Sequence, residues 1–250
     1  MYRGARVAVV IPAHNEERLI GRTLAGLPPF VDDAFVIDDA SDDGTAARVG
    51  SCTDPRVHLH RRHRNGGVGA AILDGYSLAY ATGADVIVVV GGDCQMDPDE
   101  MPGLLDAVVV GLADYAKGVR LRHPDLLHRM PPSRLAGNLA LSWLTRRALG
   151  VDVHDSQCGY TALRAALVPT LPFARLYKRY GFPNDLLATI LELGGRVAEA
   201  PVSPIYGDER SGIRLSRTVV PLLALLARIA WRHRTAPGQP RRWEASRCAS

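Results

Sequence analysis

The segment ADVIVVVGGDCQMDPDE, residues 84–100, constrains the chain more than any other. Residues 85–90 are a β-branched apolar run without alternation, the pattern of a strand buried on both faces. Asp97, Pro98 and Glu100 follow as a helix cap, a first helical residue and the partner of a capping box. Between the two lies Gly91-Gly92-Asp93-Cys94-Gln95, at the carboxyl end of a central strand, where open α/β sheets bind their ligands. Two glycines let a bulky ligand approach the backbone. In an extended segment Asp93 and Gln95 point the same way, and their oxygens suit a hard divalent cation that also holds phosphates. A plain strand-to-helix turn with a solvated Asp93 reads equally well.

At 250 residues, 47% hydrophobic and 22% charged, the chain suits one large α/β domain, or one domain with appendages. The net charge of +4 is concentrated near the C-terminus. Cys52, Cys94, Cys158 and Cys248 are far apart and form no CxxC, which argues against a disulfide framework or a zinc site. No signal-peptide pattern is visible, and no apolar run reaches the roughly 18–20 residues of a membrane span. The expected location is cytoplasmic, with no nucleic-acid partner.

Taken in order, a strand over residues 6–11 ends in PAHNEE. Asn15 is placed to cap a helix through Leu27, with Glu16 and Glu17 at its positive end. A strand over 33–37 runs into DDASDDGT. Four carboxylates in six residues are costly unless solvated or bound to donors, and one can accept from a nucleobase N–H or a ribose hydroxyl. A short strand over 56–60 precedes a basic, glycine-rich loop, residues 61–69. That loop looks like a phosphate cradle but is neither a GxGxxG nor a Walker loop. A helix over 70–81 follows.

A strand over 114–120 carries Lys117 and Arg120. A proline-rich loop over 123–132 leads to a helix over 134–149 that Ser133 caps, with Arg134 and Asn138 one turn apart. The polar cluster 152–160 leads into a helix holding Arg164, and reads as a site or as a hydrogen-bond hub. Residues 181–185 start a helix through Leu193, followed by an edge-type strand over 196–202 and a loop over 206–212. In the last helix, 216–234, Arg217, Arg228 and Arg232 form one stripe, and leucines, Ile229 and Trp231 cover most of the rest. That pattern suits a helix lying in a membrane interface, or one packed on the domain with a basic rim. Residues 237–250 read as a disordered tail.

The order of motifs resembles the family-2 glycosyltransferases of GT-A fold, and among them the dolichyl- or polyprenyl-phosphate sugar transferases. The residues that carry this are VVIPAHNEE (9–17), VIDDASDDGT (36–45), NGGVGAAI (65–72), GGDCQMDP (91–98), SRLAGN (133–138), DSQCGYTALR (155–164) and YGFPNDLL (180–187). The resemblance implies a Rossmann-like, mostly parallel sheet over residues 1–213, to which the amphipathic helix segment, 214–236, is appended on the reading of its residues. It implies that Pro12, Ala13, Asn15, Glu16, Asp39, Gly67, Gly92 and Asp93 bind a nucleotide sugar of the GDP-mannose or UDP-glucose type. Asp93 and Gln95 would hold Mg2+ or Mn2+ on its diphosphate. Arg120 and Arg134 would meet phosphate charge, and Asp155 would belong to the acceptor side. One departure stands out: the family's metal motif usually reads Asp-x-Asp-x-Gln, and here the first Asp is Gly91.

The expected reaction moves a hexose to polyprenyl phosphate at a membrane surface. The alternatives are a soluble transferase with a small alcohol acceptor, for which Asp185 or Asp155 would be the base, and an impaired nucleotide-sugar-binding protein.

Overall fold

The computed structural model describes residues 1–205 and, as one further helix, 215–235. The loop expected over 206–212, the boundary near 213 and the tail over 237–250 lie outside the described residues. Seven strands form one sheet: β1 (Val7–Ala13), β2 (Asp33–Asp38), β3 (Val57–Arg61), β4 (Val86–Val89), β5 (Tyr115–Val119), β6 (Thr161–Arg164) and β7 (Val197–Pro201). Their order is β3-β2-β1-β4-β6-β5-β7. β6 runs antiparallel to β4 and β5, and every other pair is parallel.

The unbroken apolar runs of β1 and β4 arise because both faces of the sheet are covered. Ala8, Val10, Ile87 and Val89 enter the core shared with α3 (Val68–Ala81), α7 (Phe182–Glu192) and α8 (Leu215–Thr235). Val7, Val9, Ile11 and Val88 enter the opposite core, with α1 (Ile20–Ala25) and α4 (Met101–Val109). From β1 the chain builds outward through β2 and β3, then returns to place β4 on the other side. The carboxyl ends of β1 and β4 are therefore the topological switch point, where open sheets of this kind bind their ligands.

Four local expectations are corrected. Residues 161–164 are β6, not the start of a helix, because pairing with β4 and β5 overrides the local pattern. α1 begins only at Ile20, and Asn15 lies before it with φ 60° and does not cap it. α6 starts at Pro132 and runs to Leu149, so Ser133 is inside it, and a short α5 (Leu126–Arg129) interrupts the loop before it. Asp97 does cap, accepting from the Asp99 N–H, but Glu100 does not close the box: its carboxylate accepts from the Ser203 N–H and hydroxyl. A short α2 (Thr45–Gly50) follows the acidic loop.

α8 packs against α6 and α7. It buries Leu222, Leu225, Leu226 and Ile229 and directs Arg228 and Arg232 to carboxylates of α7. Two of the three stripe arginines thus serve the domain, while the side chain of Arg217 is outside the described residues. The outer surface of α8 exposes Val220, Leu223 and Trp231, the last 69% exposed.

Candidate active site

Pro12 and Ala13 close β1, and the chain after them is stitched to the acidic loop after β2. Asn15 donates its N–H to Ser41 Oγ and accepts from the Asp42 N–H through Oδ1; the Glu16 N–H donates to Thr45 Oγ1. The acidic run is stable because most of its carboxylates meet donors. Asp38 accepts from the Ser41 N–H and faces Arg61; Asp43 accepts from the N–H groups of Glu17 and Thr45. Asp39 is buried and accepts from the backbone N–H groups of Gly66 and Gly67, at 2.9 and 2.7 Å, and from Arg62. The glycine-rich loop therefore folds over Asp39. Gly67 has φ +91°, and a Cβ there would lie 2.5 Å from the Lys178 carbonyl oxygen, so the position needs glycine. Beside Asp39 a cleft of ≈ 320 Å3 is lined by Ala40, Ser41, Arg61, Arg62 and His63.

The loop after β4 is not extended. Cys94 has φ 58°, and Asp93 Oδ1 accepts from the Gln95 N–H at 3.2 Å, so the two side chains are not brought together by strand alternation. Gly91 lies against the Asp93 carboxylate: a Cβ there would be 2.7 Å from Asp93 Oδ1, the movable end of that side chain. Gly92 abuts the end of β1, where a Cβ would lie 3.4 Å from Ala13 Cβ and 3.5 Å from Glu16 Cγ.

Glu16 faces this loop. Burial, and then the charges of Asp93 and Asp43, push its carboxyl up to about 7. A raised pKa means that folding favours the protonated form. The Glu16 contribution to stability is present below about pH 4.5 and is lost as pH rises through about 7. Glu16→Gln is therefore expected to raise the melting temperature relative to wild type at pH 8 but not at pH 4; an equal shift at both would contradict the assignment.

Asp93, Gln95 and Glu16 offer only hard oxygen donors, the chemistry that suits Mg2+ or Mn2+. No group of three or more His, Cys, Asp or Glu gathers as a metal site among the described residues.

A second charged centre lies beyond β5. Asp155 is fully buried and accepts from Arg120 through its N–H, Nε (2.8 Å) and Nη2 (3.1 Å), and from the N–H groups of Gln157 and Cys158. Burial alone would raise its carboxyl; Arg120, with Lys117 adding to it, brings it below the usual range. Lys117 is itself buried in β5 and donates to the Cys158 carbonyl, and burial lowers its ammonium. Glu199 was invisible to sequence reasoning. It accepts from the His154 and Asp155 N–H groups and meets His154 Nδ1 at 2.6 Å, while His154 Nε2 lies 2.7 Å from Arg122. Only the Lys117–Glu199 register of β5 and β7 reveals that neighbourhood.

Arg134 sits in the first turn of α6. Asp185, a candidate base by sequence, is instead fully buried against the Tyr177 N–H, Arg228 and Arg232. That geometry makes it a tie between elements rather than an available base.

The carboxyl ends of β1, β2 and β4 thus gather Glu16, Asp39 and Asp93 with the glycine-rich loop, at the place where open α/β sheets bind their ligands. Residues 8–169 match the description "Glycosyl transferase family 2". The chain belongs to that family and is a glycosyltransferase. It is 34% identical to the undecaprenyl-phosphate mannosyltransferase of Micrococcus luteus, over 79% of this chain and 83% of that protein. It is 33% identical to the polyprenol monophosphomannose synthase of Mycolicibacterium smegmatis, over 79% of this chain and 77% of that protein. Its fold is that of glucosyl-3-phosphoglycerate synthase from Mycobacterium tuberculosis, solved with Mn2+, uridine diphosphate and phosphoglyceric acid. The TM-score is 0.70 at 20% identity, over 94% of this chain and 81% of that one.

Proposed function

We propose that the protein transfers a hexose from a nucleotide sugar, of the GDP-mannose or UDP-glucose type, to a polyprenyl phosphate. The observation that carries this is the 34% identity to an undecaprenyl-phosphate mannosyltransferase over most of both chains. The nucleotide lies along the carboxyl ends of β1, β2 and β4, between Pro12, Ala13, Asn15, Glu16, the Asp39–Gly67 cradle and Gly92. Asp93 and Gln95 would hold Mg2+ or Mn2+, which would supply positive charge to offset that of the departing diphosphate.

A lipid phosphate is already an anionic nucleophile, so no strong base is required. This agrees with Asp155 and Asp185 both being committed to arginines. One phosphate oxygen forms the bond to the anomeric carbon as the carbon–oxygen bond to the diphosphate breaks, and that electron pair leaves on the diphosphate. Arg120 and Arg134 add positive charge along this line, and the protein otherwise aligns the two phosphates.

Peripheral membrane contact supplies the acceptor. No helix among the described residues is long and apolar enough to cross a membrane. α8 is amphipathic and exposes Val220, Leu223 and Trp231, a surface of the kind that lies in a bilayer interface, and the adjoining α6 exposes Leu139 and Trp143. The protein is expected to sediment with anionic liposomes, less so as salt rises.

The deciding experiment is a donor-by-acceptor screen with and without Mg2+ or Mn2+. A glycosylated polyprenyl phosphate formed only with metal is the expected product. Transfer to a water-soluble alcohol, with no lipid product, would replace this reading by a soluble-acceptor one.

A further inference from the structure

Asp185 opens α7 with a fully buried carboxylate that the transfer chemistry does not use. Its Oδ2 accepts from the Tyr177 N–H at 2.8 Å and from Arg228 Nη2 at 3.2 Å; its Oδ1 accepts from Arg232 Nη2 at 3.2 Å. Arg232 Nε also reaches Glu192 at 2.7 Å. One residue beyond Tyr177, the Lys178 carbonyl accepts from the Gly69 N–H at 3.0 Å. That carbonyl and Arg179 Cγ close over Gly67 so tightly that a Cβ there would meet them at 2.5 and 2.9 Å. Gly67 and its neighbour Gly66 hold Asp39 through their N–H groups. Leu222 and Leu225 of α8 close over Gly181 just ahead of α7, so the same short segment is gripped from both sides.

An unbroken series of contacts thus runs from α8 through Asp185, residues 177–179 and the glycine-rich loop to Asp39. We propose that Asp185 is a positioning residue that couples the seating of α8 to the shape of the nucleotide pocket, so that the seated helix strengthens nucleotide binding. The inference rests on the reading that the nucleotide binds beside Asp39. Three physical facts favour it. A buried carboxylate cannot lose its arginines and stay where it is, so Asp185 and the segment bonded to it move when α8 leaves. Gly67 has no slack against the Lys178 carbonyl and the Gly69 N–H is bonded to it, so a shift of residues 177–179 reaches the loop rather than being absorbed. Coupling between two binding events is reciprocal, so nucleotide must in turn hold α8 in place.

The test uses the full chain and the variants Arg232→Gln, Arg232→Lys and Arg228→Gln, with thermal melts to select conditions in which each is folded. Calorimetric titration with UDP and with GDP gives the dissociation constant, and hydrogen exchange reports on residues 65–69 and on α8. Arg232→Gln is expected to weaken binding of the nucleotide that wild type prefers by about 5- to 20-fold. Exchange should quicken at 65–69 as well as in α8, Arg232→Lys should restore most of the affinity, and saturating nucleotide should slow exchange in α8. If exchange shows α8 loosened while the dissociation constant and residues 65–69 are unchanged, the coupling is refuted. Should Arg232→Gln not fold, Arg228→Gln, whose side chain is half exposed, is read by the same criteria. If wild type binds neither nucleotide, the functional reading falls, and the coupling with it.

Discussion

Asp93→Ala is expected to lower the transfer rate by about a thousandfold or more, roughly 4 kcal/mol in the barrier, and to abolish the response to added Mn2+. The reaction expels a nucleoside diphosphate, so its barrier depends on neutralising charge at the leaving oxygens. The protein supplies few anionic donors for that purpose. Gly91 brings none. On the proposed reading Asp93, turned back over Gly91 and facing Glu16, is the carboxylate that would hold the cation. Asp93 also caps its own turn through the Gln95 N–H, so Asp93→Asn is the sharper variant: it keeps an acceptor for that N–H and loses the charge. The measurements are the rate against Mn2+ concentration and the melting temperature. Full activity of either variant, or of wild type in EDTA, would remove Asp93 and Gln95 from the metal site.

The second large effect is on stability. Asp155→Ala should cost about 3–5 kcal/mol, because it leaves the buried Lys117 and the partly buried Arg120 beside an empty carboxylate position. Five hydrogen bonds from Arg120, Gln157 and Cys158 lose their acceptor at once. The effect carries a pH signature. The Asp155 carboxyl is held below the usual carboxylate range, so its contribution is present above the unfolded value near 3.9. It is lost as pH falls through the folded value. Urea unfolding of wild type and variant should therefore differ most at neutral pH and converge in strong acid. A difference that does not shrink in acid would show that the side chain acts through packing rather than charge.

Several features were legible from residues alone. The apolar runs of β1 and β4 announced strands covered on both faces, since Val and Ile in unbroken sequence have nowhere polar to point. Asp97 before Pro98 announced a cap, because that bond reaches only two residues along the chain. The strand ends at Pro12, before Asp39 and before Asp93 were legible in the same way, and the sheet order sets those three ends side by side.

Other features were decided by tertiary structure. Residues 161–164 have no strong local preference and became β6 because β4 and β5 left a place between them. Asn15 looked like a cap, but bonds to Ser41 and Asp42 hold it with φ 60°, ahead of the helix. Asp39 looked open to a ligand and is bound by N–H groups 27 and 28 residues away. Asp185 looked like a base and is tied to arginines 43 and 47 residues downstream. The physical reason is one of range. Torsional preference, capping and burial on both faces are properties of a residue and its near neighbours, so they are written locally. The partner of a buried charge is whichever donor the packing brings within about 3 Å, and only the assembled sheet and helices determine that.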